Sequence, residues 1–135
     1  MSQQRRSGWA RDVSAEFDIA TRTEGDVVVV APKGDLDAGT SQVLAETLET
    51  VIGAEESCRG IVLDFSEVAS CDSRCIGVLL ASYRHARDRG IGLVVASSQG
   101  MVRRLLMIAG IDQVIALEED VARAVAGMRA AEAPR

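Results

Sequence analysis

The sequence is poor in aromatic side chains, which make up 3% of its 135 residues, and it contains one histidine and two prolines. With so few rings, the core has to be filled by Val, Leu, Ile and Ala. A hydrolase of the Ser/His type needs a base close to its nucleophile. The single histidine, His85, lies in the middle of a predicted helix, twelve residues beyond Ser73. We expect His85 to face solvent and do not assign any catalytic residue.

Long hydrophobic runs and an excess of basic residues are also absent. The most apolar stretches, Val27–Ala31 and Ile76–Ala81, are far shorter than the ~20 residues of a membrane span. Residues 1–14 contain three arginines but no hydrophobic segment, so they do not resemble a secretory signal. The formal net charge of −5 disfavours nucleic acid as the main partner. We therefore predict a cytoplasmic protein that binds neither membrane nor nucleic acid.

The residues for a metal or cofactor site are equally scarce. The three cysteines, Cys58, Cys71 and Cys75, have no fourth ligand nearby, so reduced thiols are expected and a zinc site is not. Cys75 stands in the first turn of a predicted helix, where the dipole can lower a thiol pKa and make it sensitive to oxidation. Asp35 and Asp37 could assist acid chemistry, although turn and cap roles are favoured. No glycine-rich phosphate loop is present, and we predict no cofactor.

Hydrophobic periodicity predicts a single domain over residues 15–130, with flexible tails at 1–14, which includes Trp9, and at 131–135. The predicted order is β-β-α-β-α-β-α-β-α. The predicted strands are Phe17–Thr21, Val27–Ala31, Gly60–Phe65, Leu93–Ala96 and Val114–Leu117. The predicted helices are Thr40–Ile52, Ser73–Arg89, Met101–Ala109 and Glu118–Met128. Strands joined through helices run parallel, so we expect an α/β fold with a mixed sheet of about five strands and a hairpin at one edge.

Several residues between these elements are of types that end a strand or cap a helix. Pro32 should end the second strand, and Ser66–Asp72 should be a loop. Gly53 follows the last apolar turn of the first helix and should adopt a left-handed conformation. Asp37 and Thr40 are both plausible N-caps for that helix. Asp72 and Ser73 stand at the next helix start, where such residues are usually caps.

Four short motifs occur in the order and at the intervals of a known family. They are Gly34–Asp37 (GDLD), Ile61–Asp64 (IVLD), Asp72–Gly77 (DSRCIG) and Ala109–Ile111 (AGI). With them the chain resembles the STAS family from about Phe17 to Met128. This family includes anti-sigma-factor antagonists and the tails of sulfate transporters. In this chain Arg74 and Cys75 replace a small hydroxyl residue and a glycine of the family pattern.

The resemblance implies a role for the third motif. It makes Ser73 the phosphoacceptor and implies an anti-sigma-factor antagonist that works by partner switching. The implied partners are an anti-sigma factor of the serine-kinase type, which binds when Ser73 is bare, and a serine phosphatase that resets the switch. The protein itself would be a monomer or weak dimer and not an enzyme. The implied partner-binding residues are Asp35, Asp37, Asp72, Arg74, Cys75, Ile76 and Gly77.

Two other functions stay open at this point. The chain could be a non-catalytic STAS subunit of a larger signalling or lipid-transport assembly, with Ser73 only a cap. The unusual pair Arg74 and Cys75 motivates that alternative. A nucleotide-binding or hydrolysing enzyme has the least support, because no phosphate-binding motif is present.

Overall fold

The computed structural model describes residues 17–56 and 58–131. The predicted tail 1–14 with Trp9, and residues 132–135, lie outside this part. The strands are β1 Asp18–Glu24, β2 Val27–Leu36, β3 Gly60–Asp64, β4 Glu67–Cys71, β5 Gly92–Ala96 and β6 Leu117–Glu118. The helices are α1 Ala38–Ile52, α2 Ser73–Asp88, α3 Gly100–Ile108 and α4 Val121–Ala131, with a 3-10 turn at Ile111–Gln113.

The sheet is mixed, as predicted. Its strand order is β1-β2-β3-β5-β6, and β4 pairs with the second half of β2. β1 and β2 form the predicted antiparallel hairpin, and every other pairing is parallel. The carboxyl ends of β2 and β4 therefore point to the same edge of the sheet, where α1 and α2 begin.

Helices cover both faces of the sheet. Leu48 of α1, Leu79 of α2 and Leu106 of α3 share one buried cluster with residues from the strands. Val125 of α4 belongs to a second cluster on the opposite face, together with Val29 of β2. Because successive strand residues point to opposite faces, the apolar run of β2 is buried on both sides, as its composition predicts. None of the described helices combines the length and the apolar content needed to span a bilayer.

The predicted end of β2 at Pro32 was wrong. The strand continues to Leu36, and Pro32 falls between two parallel ladders, Val27–Val30 with β3 and Lys33–Leu36 with β4. No residue of the neighbouring strands pairs with Pro32 on that side. A proline, which lacks an N–H, is tolerated at such a break in the ladder.

The segment predicted as a loop over Ser66–Asp72 contains β4, which makes six strands and not five. The predicted strand Val114–Leu117 is shorter, because the backbone N–H of Ile115 closes a helical turn onto Ile111 O at 2.7 Å. Only Leu117 and the residue after it pair with β5.

Three details at the helix ends also differ from the prediction. Gly53 has φ −87°, so it is not left-handed. The last helix begins at Val121 and not at Glu118, because the Asp120 carboxylate accepts a hydrogen bond from Arg123 N at 2.7 Å. That helix also continues beyond its predicted end at Met128 to Ala131.

Candidate functional site

Two helices start side by side at the carboxyl edge of the sheet. Leu36 at the end of β2 is in register with Cys71 at the end of β4. Each strand is followed at once by an aspartate that caps a helix, Asp37 for α1 and Asp72 for α2. The backbone N–H of Asp72 donates to Leu36 O at 3.2 Å, which fixes the two caps next to each other. The structure thus brings Asp37 close to the Ser73 segment.

Asp37 and Thr40 cap α1 together rather than as alternatives. Thr40 N donates to Asp37 Oδ1 at 3.2 Å, and Asp37 N donates to Thr40 Oγ1 at 2.9 Å. This reciprocal pair is a capping box. The hydrogen bond from the Thr40 backbone, followed by that from its side chain, holds the pKa of the exposed Asp37 carboxyl below its ordinary value.

Asp72 alone caps α2, and Ser73 is left outside the cap. Asp72 Oδ1 accepts hydrogen bonds from Arg74 N at 2.9 Å and Cys75 N at 3.2 Å. Ser73 is the first residue of the helix and is exposed. Its hydroxyl therefore stands at the positive end of the helix dipole and is open to solvent.

The residues after Ser73 divide between core and surface. Cys75 is 0% exposed and packs in the main core cluster, so it cannot touch a partner directly, and its implied place among partner-binding residues is wrong. Ile76 is half-buried, and Gly77 is exposed. A side chain at Gly77 would meet no atom within 4 Å, so this glycine leaves open space on the surface of α2.

The cysteine chemistry also differs from expectation. A hydrogen bond to Cys71, together with burial, raises the pKa of the Cys75 thiol above its ordinary value. The direction is opposite to the lowering that a helix dipole can cause. Burial and a pKa in this direction both make Cys75 a poor nucleophile.

Charges of both signs surround Ser73. Asp35, Asp37 and Asp72 are exposed, and Asp35 Oδ1 accepts a hydrogen bond from Ser70 Oγ at 2.7 Å across β2 and β4. Arg74 is exposed and belongs to none of the ion pairs among the described residues. In the described residues no group of three or more His, Cys, Asp or Glu side chains is arranged to hold a metal ion.

A groove of about 450 Å³ runs between α1 and α2, and Ser73 lies in its wall. Its lining residues are Ala45, Glu49 and Ile52 from α1 and Ser73, Arg74, Gly77, Val78, Ala81, Ser82 and His85 from α2. His85 is exposed, as expected, but it lines the same groove. Twelve residues of helix separate His85 from Ser73 by about 18 Å, too far for proton transfer to the hydroxyl.

Sequence reasoning did not find this groove or the bond between Asp35 and Ser70. Both depend on how distant segments pack, and neither has a local motif. The small residues at Ala45, Gly77 and Ala81, spaced along two helices, were the one available signal. Small residues allow a concave surface, but they occur too widely to identify one.

Comparison with known proteins agrees with this arrangement. The model of the STAS domain matches residues 18–124. An anti-sigma F factor antagonist of Paenibacillus polymyxa is 26% identical over 99 residues, which cover 73% of this chain and 84% of that protein. The structure of the anti-sigma factor antagonist SpoIIAA in its unphosphorylated form aligns with a TM-score of 0.71 at 18% identity, covering 84% of this chain and 96% of that one. The phosphorylated form of the Bacillus cell fate determinant SpoIIAA aligns with a TM-score of 0.60 at 17% identity, covering 81% and 96%. The chain belongs to the STAS domain family.

Proposed function

We propose that this protein is a cytoplasmic anti-sigma factor antagonist that acts by partner switching at Ser73. With Ser73 bare, it binds an anti-sigma factor of the serine-kinase type, and the sigma factor is released. Phosphorylation by that kinase weakens the complex, and a serine phosphatase restores binding. In this role the protein binds its partner and catalyses no reaction itself.

The exposed hydroxyl of Ser73 is the observation that carries the proposal. A kinase has to reach its acceptor, and Ser73 lies on the surface at a helix start, beside the groove between α1 and α2. Similarity to SpoIIAA, which is known in both unphosphorylated and phosphorylated forms, supports the same assignment.

The charges around Ser73 explain why a phosphate would act on binding. It adds a charge of about −1.5 to −2 at neutral pH. Asp37 and Asp72 already make this edge acidic, so a docked partner has to accommodate carboxylates before the phosphate arrives. Misplaced like charges at an interface cost several kcal/mol. The proposed docking surface consists of Asp35, Asp37, Asp72, Arg74, Ile76 and Gly77.

Arg74 distinguishes the proposed docking surface of this chain from the family pattern, which has a small hydroxyl residue at this position. Arg74 directly follows the acceptor Ser73 in the sequence. Arginine forms strong charge-assisted hydrogen bonds with phosphate. In the bare state the same cation is available to an acidic group of the kinase. We therefore assign Arg74 to partner choice.

Phosphate mapping tests the proposal. The full chain is incubated with its cognate anti-sigma kinase and ATP, and intact mass and peptide mapping locate the added phosphate. We expect one phosphate on Ser73 and none on the Ser73→Ala variant. Ser66→Ala is the matched control, because Ser66 is an exposed serine outside the proposed docking surface and should not affect labelling. Undiminished phosphorylation of Ser73→Ala would refute the proposal.

A further inference from the structure

The exposed apolar side chains of this protein are concentrated on one segment. Among the described residues, six large hydrophobic side chains are exposed, and five of them lie between Met101 and Val114. The five are Met101 (67% exposed), Leu105 (38%), Met107 (48%), Ile108 (74%) and Val114 (46%). The sixth, Val43, stands apart on α1. None of the five lines the groove that contains Ser73.

Three of these side chains form a continuous stripe along α3. Met101, Leu105 and Ile108 have the spacing i, i+4, i+7, which places them on one helix face. The opposite side of the helix is anchored in the core through Val102 and Leu106, which are 4% and 0% exposed. The stripe is thus held rigidly outward and cannot turn inward without unpacking α3. We call Met101, Leu105 and Ile108 the α3 stripe.

Positive charge accompanies the α3 stripe. Arg104 follows Met101 by three residues and precedes Ile108 by four, so it lies beside both on the helix surface. It is exposed and in none of the ion pairs among the described residues. The amino end of α3 also has no side-chain cap at Gln99 and no acidic residue in its first turn. These two features favour carboxylates opposite the stripe.

The charges argue against a second copy of the chain as the occupant. Arg104 lies midway along the α3 stripe, so two stripes packed about a two-fold axis would bring the two Arg104 side chains together. The segment 1–16 is a poor occupant for a similar reason, because it contains three arginines against Asp12 and Glu16. A lipid surface is disfavoured because α3 has only nine residues and the chain carries a net charge of −5.

We propose that the α3 stripe is a second docking surface, whose occupant is an amphipathic helix of another protein with carboxylates beside its apolar face. Binding there leaves the Ser73 groove free. The protein can then hold this second partner whether or not Ser73 is phosphorylated. This inference stands independently of the proposed partner switch.

Site-specific photo-crosslinking in the native host tests the proposal. A benzophenone side chain replaces Ile108 in the full chain, and the crosslinked peptide is identified by mass spectrometry. The same group at position 43 is the control, because Val43 is the isolated exposed hydrophobic residue. We expect position 108, and not position 43, to capture one protein through an acidic amphipathic helix.

Three further variants, each combined with the group at position 108, separate the explanations. Arg104→Glu and Met101→Ser should each lower the crosslinking yield about tenfold, since they reverse the charge or remove apolar contact. Ser73→Asp should leave the yield unchanged, even though it weakens anti-sigma binding under the proposed function. Crosslinks to lipid or to another copy of this chain, no protein crosslink at position 108, or an undiminished yield with Arg104→Glu would each overturn the proposal.

Discussion

Replacing Ser73 by aspartate should separate an effect on binding from an effect on folding. Ser73 is exposed at the first position of α2, so an added carboxylate stays in water and has no desolvation cost. Attraction to the helix amino end contributes about 0.3–1 kcal/mol. Repulsion from the neighbouring Asp72 carboxylate is about 1 kcal/mol at 4 Å in water and falls with distance and salt. The two terms oppose each other, so the free energy of unfolding should change by less than about 1 kcal/mol.

The same substitution should have a much larger effect on the anti-sigma complex. A docked partner excludes water from the acidic edge formed by Asp37 and Asp72, and the new charge then faces a fitted surface. A cost of several kcal/mol corresponds to two or three decades in Kd, because each 1.4 kcal/mol is tenfold. The effect on binding should therefore exceed the effect on stability severalfold.

Urea unfolding and calorimetric titration with the cognate kinase measure the two quantities. Ser73→Asn is the matched control, because it has the size of aspartate without the charge and should retain most of the affinity. A loss of more than about 2 kcal/mol in unfolding free energy for Ser73→Asp would show that the charge acts on the fold. Equal Kd values for the Asp and Asn variants would refute the electrostatic reasoning.

Three other predictions follow from single contacts. Asp72→Ala should lower the free energy of unfolding by about 1 kcal/mol in urea melts, whereas Asp72→Asn, which can still accept the cap hydrogen bonds, should cost less. Because the pKa of Asp37 is lowered in the folded state, its contribution to stability is complete above about pH 4 and is lost as pH falls through the folded pKa. Asp37→Asn should therefore flatten the acid limb of a stability–pH curve, and an unchanged limb would contradict this. At Gly60 an added Cβ would collide with the flexible end of the Met128 side chain, which can shift, so Gly60→Ala should lower the thermal midpoint only slightly, and Met128→Ala should remove most of that penalty in a double-mutant cycle.

The helices could be predicted from sequence because their signals are local. Asp37 and Asp72 each precede an apolar stripe of helical period, and the structure places both as N-caps. The hairpin of β1 and β2 was also recognisable from the turn at Gly25, which has φ +65°. In these cases the residues that specify an element lie within or beside it.

The missed elements depend on distant partners. β4 is a strand because the backbone of Lys33–Leu36 in β2 is available to pair with it. The sequence Ser66–Cys71 by itself has no hydrophobic pattern that predicts a strand. The extension of β2 beyond Pro32 has the same origin. Cys75 was placed among the partner-binding residues although it is buried, because the core side of α2 is set by contact with α1 and the sheet. Helical periodicity shows which apolar residues share a helix face, but packing against other elements decides how many residues of that helix are buried.

A switch is possible here because Asp72 caps the helix and Ser73 does not. Had the serine been the cap, a phosphate on its oxygen would have altered a hydrogen bond that starts the helix, and modification would have changed the fold. Instead the Asp72 carboxylate accepts both backbone hydrogen bonds, and the Ser73 hydroxyl is exposed at the next position. The helix start can thus carry a change of charge without losing its cap, so a change of charge acts mainly on whatever is docked against it.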